Sequence, residues 1–192
     1  MSATVELVPL FCTQCGTPVP AAQDEVAWTC ATCGEGLVLD DEKGVRALEV
    51  RFARSSVEPG LTWKPFWVAI GRARFEVRQT YGSDRGPDEL WASPQTFVLP
   101  AFECSLEEAG AWGLSFLRNP PRLAPGPAGR LQRVTVAADE AKALAEFVVL
   151  TVEAERQDRL KSVSFHLELE PPVLWALPFT GAEGSLQLTL AA

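Results

Sequence analysis

The sequence has little of what most enzymes and membrane proteins require. Its 192 residues include one histidine, His166, and no apolar run approaches the ~20 residues needed to cross a bilayer. It contains no Gly-x-Ser-x-Gly nucleophile elbow, no glycine-rich phosphate loop and no dinucleotide-binding fingerprint. A hydrolase triad or a Cys–His pair would need His166, which strand alternation places on an exposed face. These absences predict a protein that is not an enzyme and has no membrane span.

Basic residues are missing from the first part of the chain. Residues 1–42 contain seven acidic side chains and no Lys or Arg, so all 17 basic residues follow this segment. Nucleic-acid binding requires cations that replace the counterions condensed on the phosphates. The N-terminal segment therefore has the wrong charge for nucleic acid, and the whole chain carries a net charge of −8.

The start of the chain shows no basic segment followed by an apolar one, so a standard secretory signal is not expected. A cytoplasmic location is expected instead, where cysteines remain reduced. With 47% hydrophobic and 22% charged residues, the composition is that of an ordinary globular protein. A chain of this length suffices for one full domain and a small module.

Four of the five cysteines form two Cys-x-x-Cys pairs, Cys12 with Cys15 and Cys30 with Cys33. Each pair can offer two thiolates from one tight turn to a tetrahedral ion, so the spacing predicts one structural zinc ion per chain. A glycine follows each pair and can adopt the positive φ that such a knuckle often needs. The alternative is a pair of disulfides, which the missing secretory signal and the confinement of the cysteines to one corner disfavour.

This cysteine pattern resembles the zinc-ribbon superfamily. The resemblance implies a zinc ribbon as the first module, over residues 1–42. The rest of the chain is similar to uncharacterised bacterial proteins in which a four-cysteine ribbon precedes an aromatic-rich β domain. The resemblance implies a fold and a metal, but no established activity.

Residues 43–192 predict an α+β domain, mainly antiparallel sheet with two helices. A Ser-x-x-Glu capping box at Ser105 predicts a helix to about Leu117. Asp139 is the predicted N-cap of a second helix, although the valine-rich middle of that segment also suits a strand. Alternating or apolar segments predict strands over 5–10, 26–28, 45–52, 61–79, 95–102, 162–170, 173–179 and 185–190.

Arginines and tryptophans are the candidate contact residues of the second part. Alternation places Arg72, Arg74 and Arg78 on one strand face, which could bind an acidic partner or simply be solvated. Tryptophans serve either as core packing or as protein-binding surface. The sequence has six of them: Trp28, Trp63, Trp67, Trp91, Trp112 and Trp175.

Cys104 is the one thiol outside the two pairs, and it precedes the Ser105 cap. A helix N-terminus can lower the pKa of a thiol and make it reactive. A lone cysteine between Phe102 and Leu106 is more typical of a small buried hydrophobic residue.

These patterns predict a non-enzymatic cytoplasmic protein in which a zinc ribbon is attached to an α+β domain that binds another protein. The alternative is a nucleic-acid-associated ribbon protein of transcription or replication, which the common use of ribbons favours and the acidic ribbon disfavours. An enzyme that uses Cys104 or a pocket of the β domain is a third hypothesis.

Overall fold

The computed structural model describes residues 10–40, 42–57, 60–82, 86–181 and 186–191. The strand predicted over residues 5–10 lies, except for Leu10, outside this part of the chain. Within the described ranges the chain forms nine strands, two α-helices and one short 3-10 helix. The α+β class is confirmed, and a small N-terminal unit carries the cysteines.

The first sheet has three antiparallel strands, β1 Ala27–Thr29, β2 Gly36–Asp40 and β3 Gly44–Ala47, in the order β1-β2-β3. We call residues 10–47 the cysteine module. Its third strand begins after the boundary predicted at residue 42, so the cysteine-bearing sheet continues into the second predicted part. The division into domains over 1–42 and 43–192 stays a prediction.

The second sheet has six strands: β4 Val50–Phe52, β5 Thr62–Thr80, β6 Gln95–Pro100, β7 Leu160–Leu169, β8 Val173–Thr180 and β9 Gln187–Leu188. It is built on β5, a 19-residue strand that pairs with three neighbours. β8 pairs with its first half and β7 with its second half, while β6 pairs with its middle. β4 pairs parallel with β8, and the other pairings are antiparallel.

The single strand predicted over residues 45–52 is wrong, because this segment forms β3 in one sheet and β4 in the other. Between them the backbone N–H of Leu48 donates to the carbonyl of Gly36 at 2.8 Å. Leu48 and Val50 are half-buried and pack against the central core. The apolar residues of this segment are therefore apolar because they are buried, not because they form one strand. The change of sheet depends on partner strands that are distant in the sequence.

Both predicted helices are present, as α1 Leu106–Arg118 and α2 Ala141–Ala154. The capping box of α1 is confirmed, because Ser105 Oγ accepts from the Glu108 N–H and the Glu108 carboxylate accepts from the Ser105 N–H. The N-cap of α2 is Glu140 rather than the predicted Asp139. The 3-10 helix Glu89–Ala92 was not predicted.

The two helices α1 and α2 pack closely against each other at Gly113 of α1. A Cβ atom added to Gly113 would lie 2.3 Å from Val148 Cγ2 of α2, which is far inside van der Waals contact. We therefore expect Gly113→Ala to lower the free energy of unfolding by about 1–3 kcal/mol, the usual cost of overpacking. Gly86→Ala is the control, because no atom lies within 4 Å of the corresponding position. Equal urea-unfolding midpoints for the two variants would contradict this packing.

The tryptophans are core residues. Trp28, Trp63, Trp67, Trp91 and Trp175 are buried, and Trp112 is half-buried against Phe and Trp rings. The indole N–H of Trp67 donates to the carbonyl of Val136 at 2.8 Å, so this ring also has its polar atom satisfied. Core packing is therefore the role of the five buried tryptophans, and the contact-surface alternative is wrong for the four of them that lie in the second part of the chain.

Candidate metal centre

The four paired cysteines come together at one end of the first sheet. Their sulfur atoms all lie within 4.8 Å of one another. The Sγ atoms of Cys12 and Cys33 are 3.6 Å apart, as are those of Cys15 and Cys30. The close contacts thus join one knuckle to the other, and the four sulfurs could hold one metal ion between them.

Local backbone geometry presents each pair of sulfurs. Gly16 and Gly34 have φ values of +69° and +78°, as predicted for the residues that follow the knuckles. Their N–H groups donate to the carbonyls of Cys12 and Cys30 at 2.9 and 2.8 Å. Each knuckle is therefore a closed turn whose shape depends on a few neighbouring residues.

The second knuckle is placed by the first sheet, since β1 enters it and β2 leaves it. Around the sulfurs lies an apolar cluster that includes Trp28 and Leu37, with Leu10 and Val19 packed against it. Cys12 and Cys30 are buried in this cluster, whereas Cys15 and Cys33 are exposed. The outer shell of the site is thus apolar on one side and open to solvent on the other.

The thiols of the two exposed cysteines, Cys15 and Cys33, differ in pKa. The hydroxyl and backbone of Thr17 lower the pKa of Cys15 to about 6. A backbone hydrogen bond from Glu35 lowers the pKa of Cys33, but desolvation and the neighbouring sulfurs outweigh it and raise the pKa to about 12. Metals bind the thiolate form of cysteine, so metal binding at this cluster is coupled to the release of thiol protons.

The cysteine module is joined to the rest of the fold through its first strand. The N–H of Val26 donates to the carbonyl of Val134 at 2.8 Å. Ala27 is fully buried in the same core cluster as Trp67, and Asp24 forms an exposed ion pair with Arg133. The first sheet and the larger sheet therefore share part of one apolar core, whereas Cys12 and Cys30 belong to a separate apolar cluster.

The three candidate arginines do not share a surface. Arg72 is exposed, and Arg74 forms an exposed ion pair with Glu168 at 3.2 Å. A register shift of β5 against β7 falls between Phe75 and Val77. Such a bulge reverses the alternation of the strand. The predicted exposure of Arg78 is therefore wrong, since its side chain is 2% exposed.

A buried ion network surrounds Arg78. Its Nε lies 2.5 Å from a carboxylate oxygen of Glu153, and its guanidinium contacts Asp158 at 2.8 Å. Glu153 is fully buried and also accepts from the indole N–H of Trp91 and the backbone N–H of Asp88, both at 2.9 Å. The network connects the end of β5, the 3-10 helix and the end of α2.

Hydrogen bonding and charge favour the ionised forms of Arg78 and Asp158. The Arg78 guanidinium lowers the pKa of Asp158, and Asp158 in turn raises the pKa of Arg78. Sequence reasoning missed the network, although one signal was present. Glu153 lies four residues after Val149 on the buried side of α2, where an acidic residue needs a buried partner.

The remaining candidates show no catalytic arrangement. His166 is exposed on β7, opposite Arg74 in the strand register, as the alternation predicts. Cys104 is half-buried, and burial together with the charge of Glu108 raises the pKa of its thiol. That direction is opposite to the activation which a helix N-terminus can produce.

Comparisons leave the fold and the site without a family assignment. No protein-family model, curated protein or solved structure matches this chain. Among the described residues, no helix is long and apolar enough to cross a membrane. The geometry of the cysteine site is therefore the main basis for a functional hypothesis.

Proposed function

We propose that the cysteine module is a zinc ribbon that holds one structural zinc ion. Zinc binds four cysteine thiolates tetrahedrally with Zn–S distances of about 2.3 Å, which requires sulfur–sulfur separations of about 3.8 Å. The 3.6 Å separations of the Cys12–Cys33 and Cys15–Cys30 sulfur pairs support this choice of metal. The four-cysteine donor set supports it as well, because soft thiolates suit zinc.

We infer from the same site that the metal stabilises a binding module rather than a reaction centre. The observation that carries this proposal is the cluster of four protein sulfurs within 4.8 Å. Four protein ligands complete a tetrahedral shell, so a bound zinc ion has no open position for substrate. The ion then serves to fold a small module on the surface of the larger sheet. A non-enzymatic adaptor or protein-interaction role in the cytoplasm is the function that fits.

Charge favours a protein partner over a nucleic acid. Residues 1–42 carry seven acidic side chains and no basic one, and a four-thiolate zinc centre adds about −2. This acidic segment repels phosphate over a Debye length of about 8 Å at physiological salt. We therefore expect no binding to DNA or RNA tighter than the non-specific range of ~10⁻⁴ to 10⁻⁶ M at physiological salt.

Affinity capture from the source organism tests this proposal. The tagged, zinc-loaded chain should retain a defined protein from a nuclease-treated lysate, and the purified pair should bind in a fixed ratio by calorimetry. Anisotropy with single-stranded DNA, duplex DNA and structured RNA probes provides the comparison. A sub-micromolar nucleic-acid complex at physiological salt, or the lack of any purified protein that binds, would contradict the proposed function.

A further inference from the structure

Two open cavities adjoin where the cysteine module meets the helices and the larger sheet. Their volumes are about 510 Å³ and about 710 Å³. Both are lined by the same four residues at their junction, namely Asp24, Phe102, Glu103 and Thr135. We call the two cavities together the seam groove. Each has a volume in the range of a ligand-binding pocket.

One end of the seam groove is basic. Lys64, Arg130 and Arg133 line the larger cavity. Arg133 is paired with Asp24. Lys64 lies 4.3 Å from the centre of the Phe102 ring, and within the described residues neither Lys64 nor Arg130 forms an ion pair. Asp24 and Glu103 line the same cavity. Because Asp24 is paired with Arg133, this end offers two cations, Lys64 and Arg130, beside one further carboxylate, that of Glu103.

The other end of the seam groove is mainly apolar. The smaller cavity lies between the starts of α1 and α2 and is lined by Leu106, Ala109, Val136 and Leu144, with the carboxylate residue Glu140 also in its wall. Leu106 is 57% exposed, although it is the first residue of α1. An exposed leucine at the mouth of an apolar cavity can contact a ligand without any change in the core.

The junction of the two cavities contains polar atoms that determine which end of a bound ligand lies in which cavity. Glu103 is exposed there and disfavours an anion near the apolar end. The hydroxyl oxygen of Thr135 is buried and has no hydrogen-bond partner in the described part of the chain. A rotation of this side chain about χ1 would let its hydroxyl bond a peptide group, which would remove the cost of leaving it unpaired.

We propose that the seam groove binds an acidic peptide segment of a partner protein. An apolar side chain of that segment fills the smaller cavity, and an Asp or Glu a few residues away pairs with Lys64 and Arg130. Charge complementarity at the basic end favours an acidic ligand. A free anion would leave the apolar end empty, so a peptide that also carries an apolar side chain fits the groove better. The inference rests on the proposed protein-binding function and specifies the chemistry of the partner.

Selection from a phage-displayed library of random twelve-residue peptides tests the inference on the full, zinc-loaded chain. We expect enrichment of peptides with an apolar residue near an acidic one. The double variant Lys64→Glu, Arg130→Glu should bind an enriched synthetic peptide with an affinity lower by about tenfold or more, since two attractive charge pairs become repulsive. The matched control is Arg122→Glu with Lys161→Glu, which changes the net charge equally at exposed positions outside both cavities.

A second pair of variants tests the apolar end. Ala143→Trp places a large ring at the smaller cavity and should also lower the affinity for the peptide. Ala111→Trp is its control, because Ala111 lies on an exposed part of α1 outside that cavity. Circular dichroism and zinc content should match the wild type in all variants. The inference fails if no peptide is enriched, if the seam-groove variants bind like their controls, or if single-stranded oligonucleotides compete as well as the peptide.

The captured host partner separates this inference from the function on which it rests. If that partner binds the Lys64→Glu, Arg130→Glu variant as tightly as the wild type, the seam groove is not the binding site, but the proposed function stands. If no host protein binds the wild type, both the proposed function and this inference fail. Loss of partner binding in the seam-groove variants alone supports both.

Discussion

Replacing Cys30 with serine should abolish metal binding and lower the zinc content from about one ion per chain to near zero. Cys30 is a buried residue of the second knuckle, and its sulfur lies 3.6 Å from that of Cys15. Losing one of four thiolates removes the closed tetrahedral shell. Cys104→Ser is the matched control and should keep its zinc, because Cys104 lies outside the cluster. Atomic emission spectrometry of the purified proteins measures the zinc content of both variants.

Zinc loss should unfold the cysteine module. The binding free energy of a structural zinc ion is about 10–16 kcal/mol in small modules, and it supplies most of their folding free energy. Chelator treatment of the wild type should therefore reproduce the effect of Cys30→Ser. A protein that contains two disulfides and no zinc, or a Cys30→Ser variant that retains its metal, would contradict the assignment.

The larger sheet should stay folded in the zinc-free protein, but with a lower melting temperature. Five of the six tryptophans lie after residue 47, so most of the near-UV dichroism comes from that part. Ala27 is fully buried in the central core, and Val26 bonds to Val134, so unfolding of the module removes part of that packing. Complete loss of the near-UV signal on chelation would show that the two predicted domains fold as one.

Replacing Glu153 with alanine should lower the free energy of unfolding by about 3–5 kcal/mol, the usual cost of removing one partner of a buried ion pair. The variant leaves Arg78 buried without one of its carboxylates and leaves the Trp91 indole N–H without an acceptor. A domain of this size has about 5–15 kcal/mol of stability in total, so the loss should be large. Urea unfolding followed by tryptophan fluorescence measures it.

Two further variants separate buried charge from general damage to α2. Glu155→Ala removes an exposed ion pair with Arg118 and should cost at most about 1 kcal/mol. Arg78→Met combined with Glu153→Leu and Asp158→Leu should recover much of the loss, because apolar groups often replace a complete buried ion network without penalty, whereas a carboxylate left behind would be buried without its partner. A Glu153→Ala variant as stable as Glu155→Ala would contradict the buried network.

The sequence by itself determined the features that depend on near neighbours. The two Cys-x-x-Cys pairs, the glycines with positive φ and the capping box of α1 each involve residues within a few positions of one another. Hydrogen bonds at this range form wherever the local segment folds, so residue spacing is sufficient to predict them. The α+β class followed for the same reason, because hydrophobic period distinguishes strands from helices.

Only the tertiary structure decided which side of an element faces the core. The bulge in β5 depends on its pairing with β7, and it turns Arg78 inward toward Glu153, which is 75 residues away in the chain. The change of sheet between β3 and β4 likewise depends on β2 and β8. A charged side chain is buried only where distant partners compensate its desolvation, and those partners meet only in the folded chain.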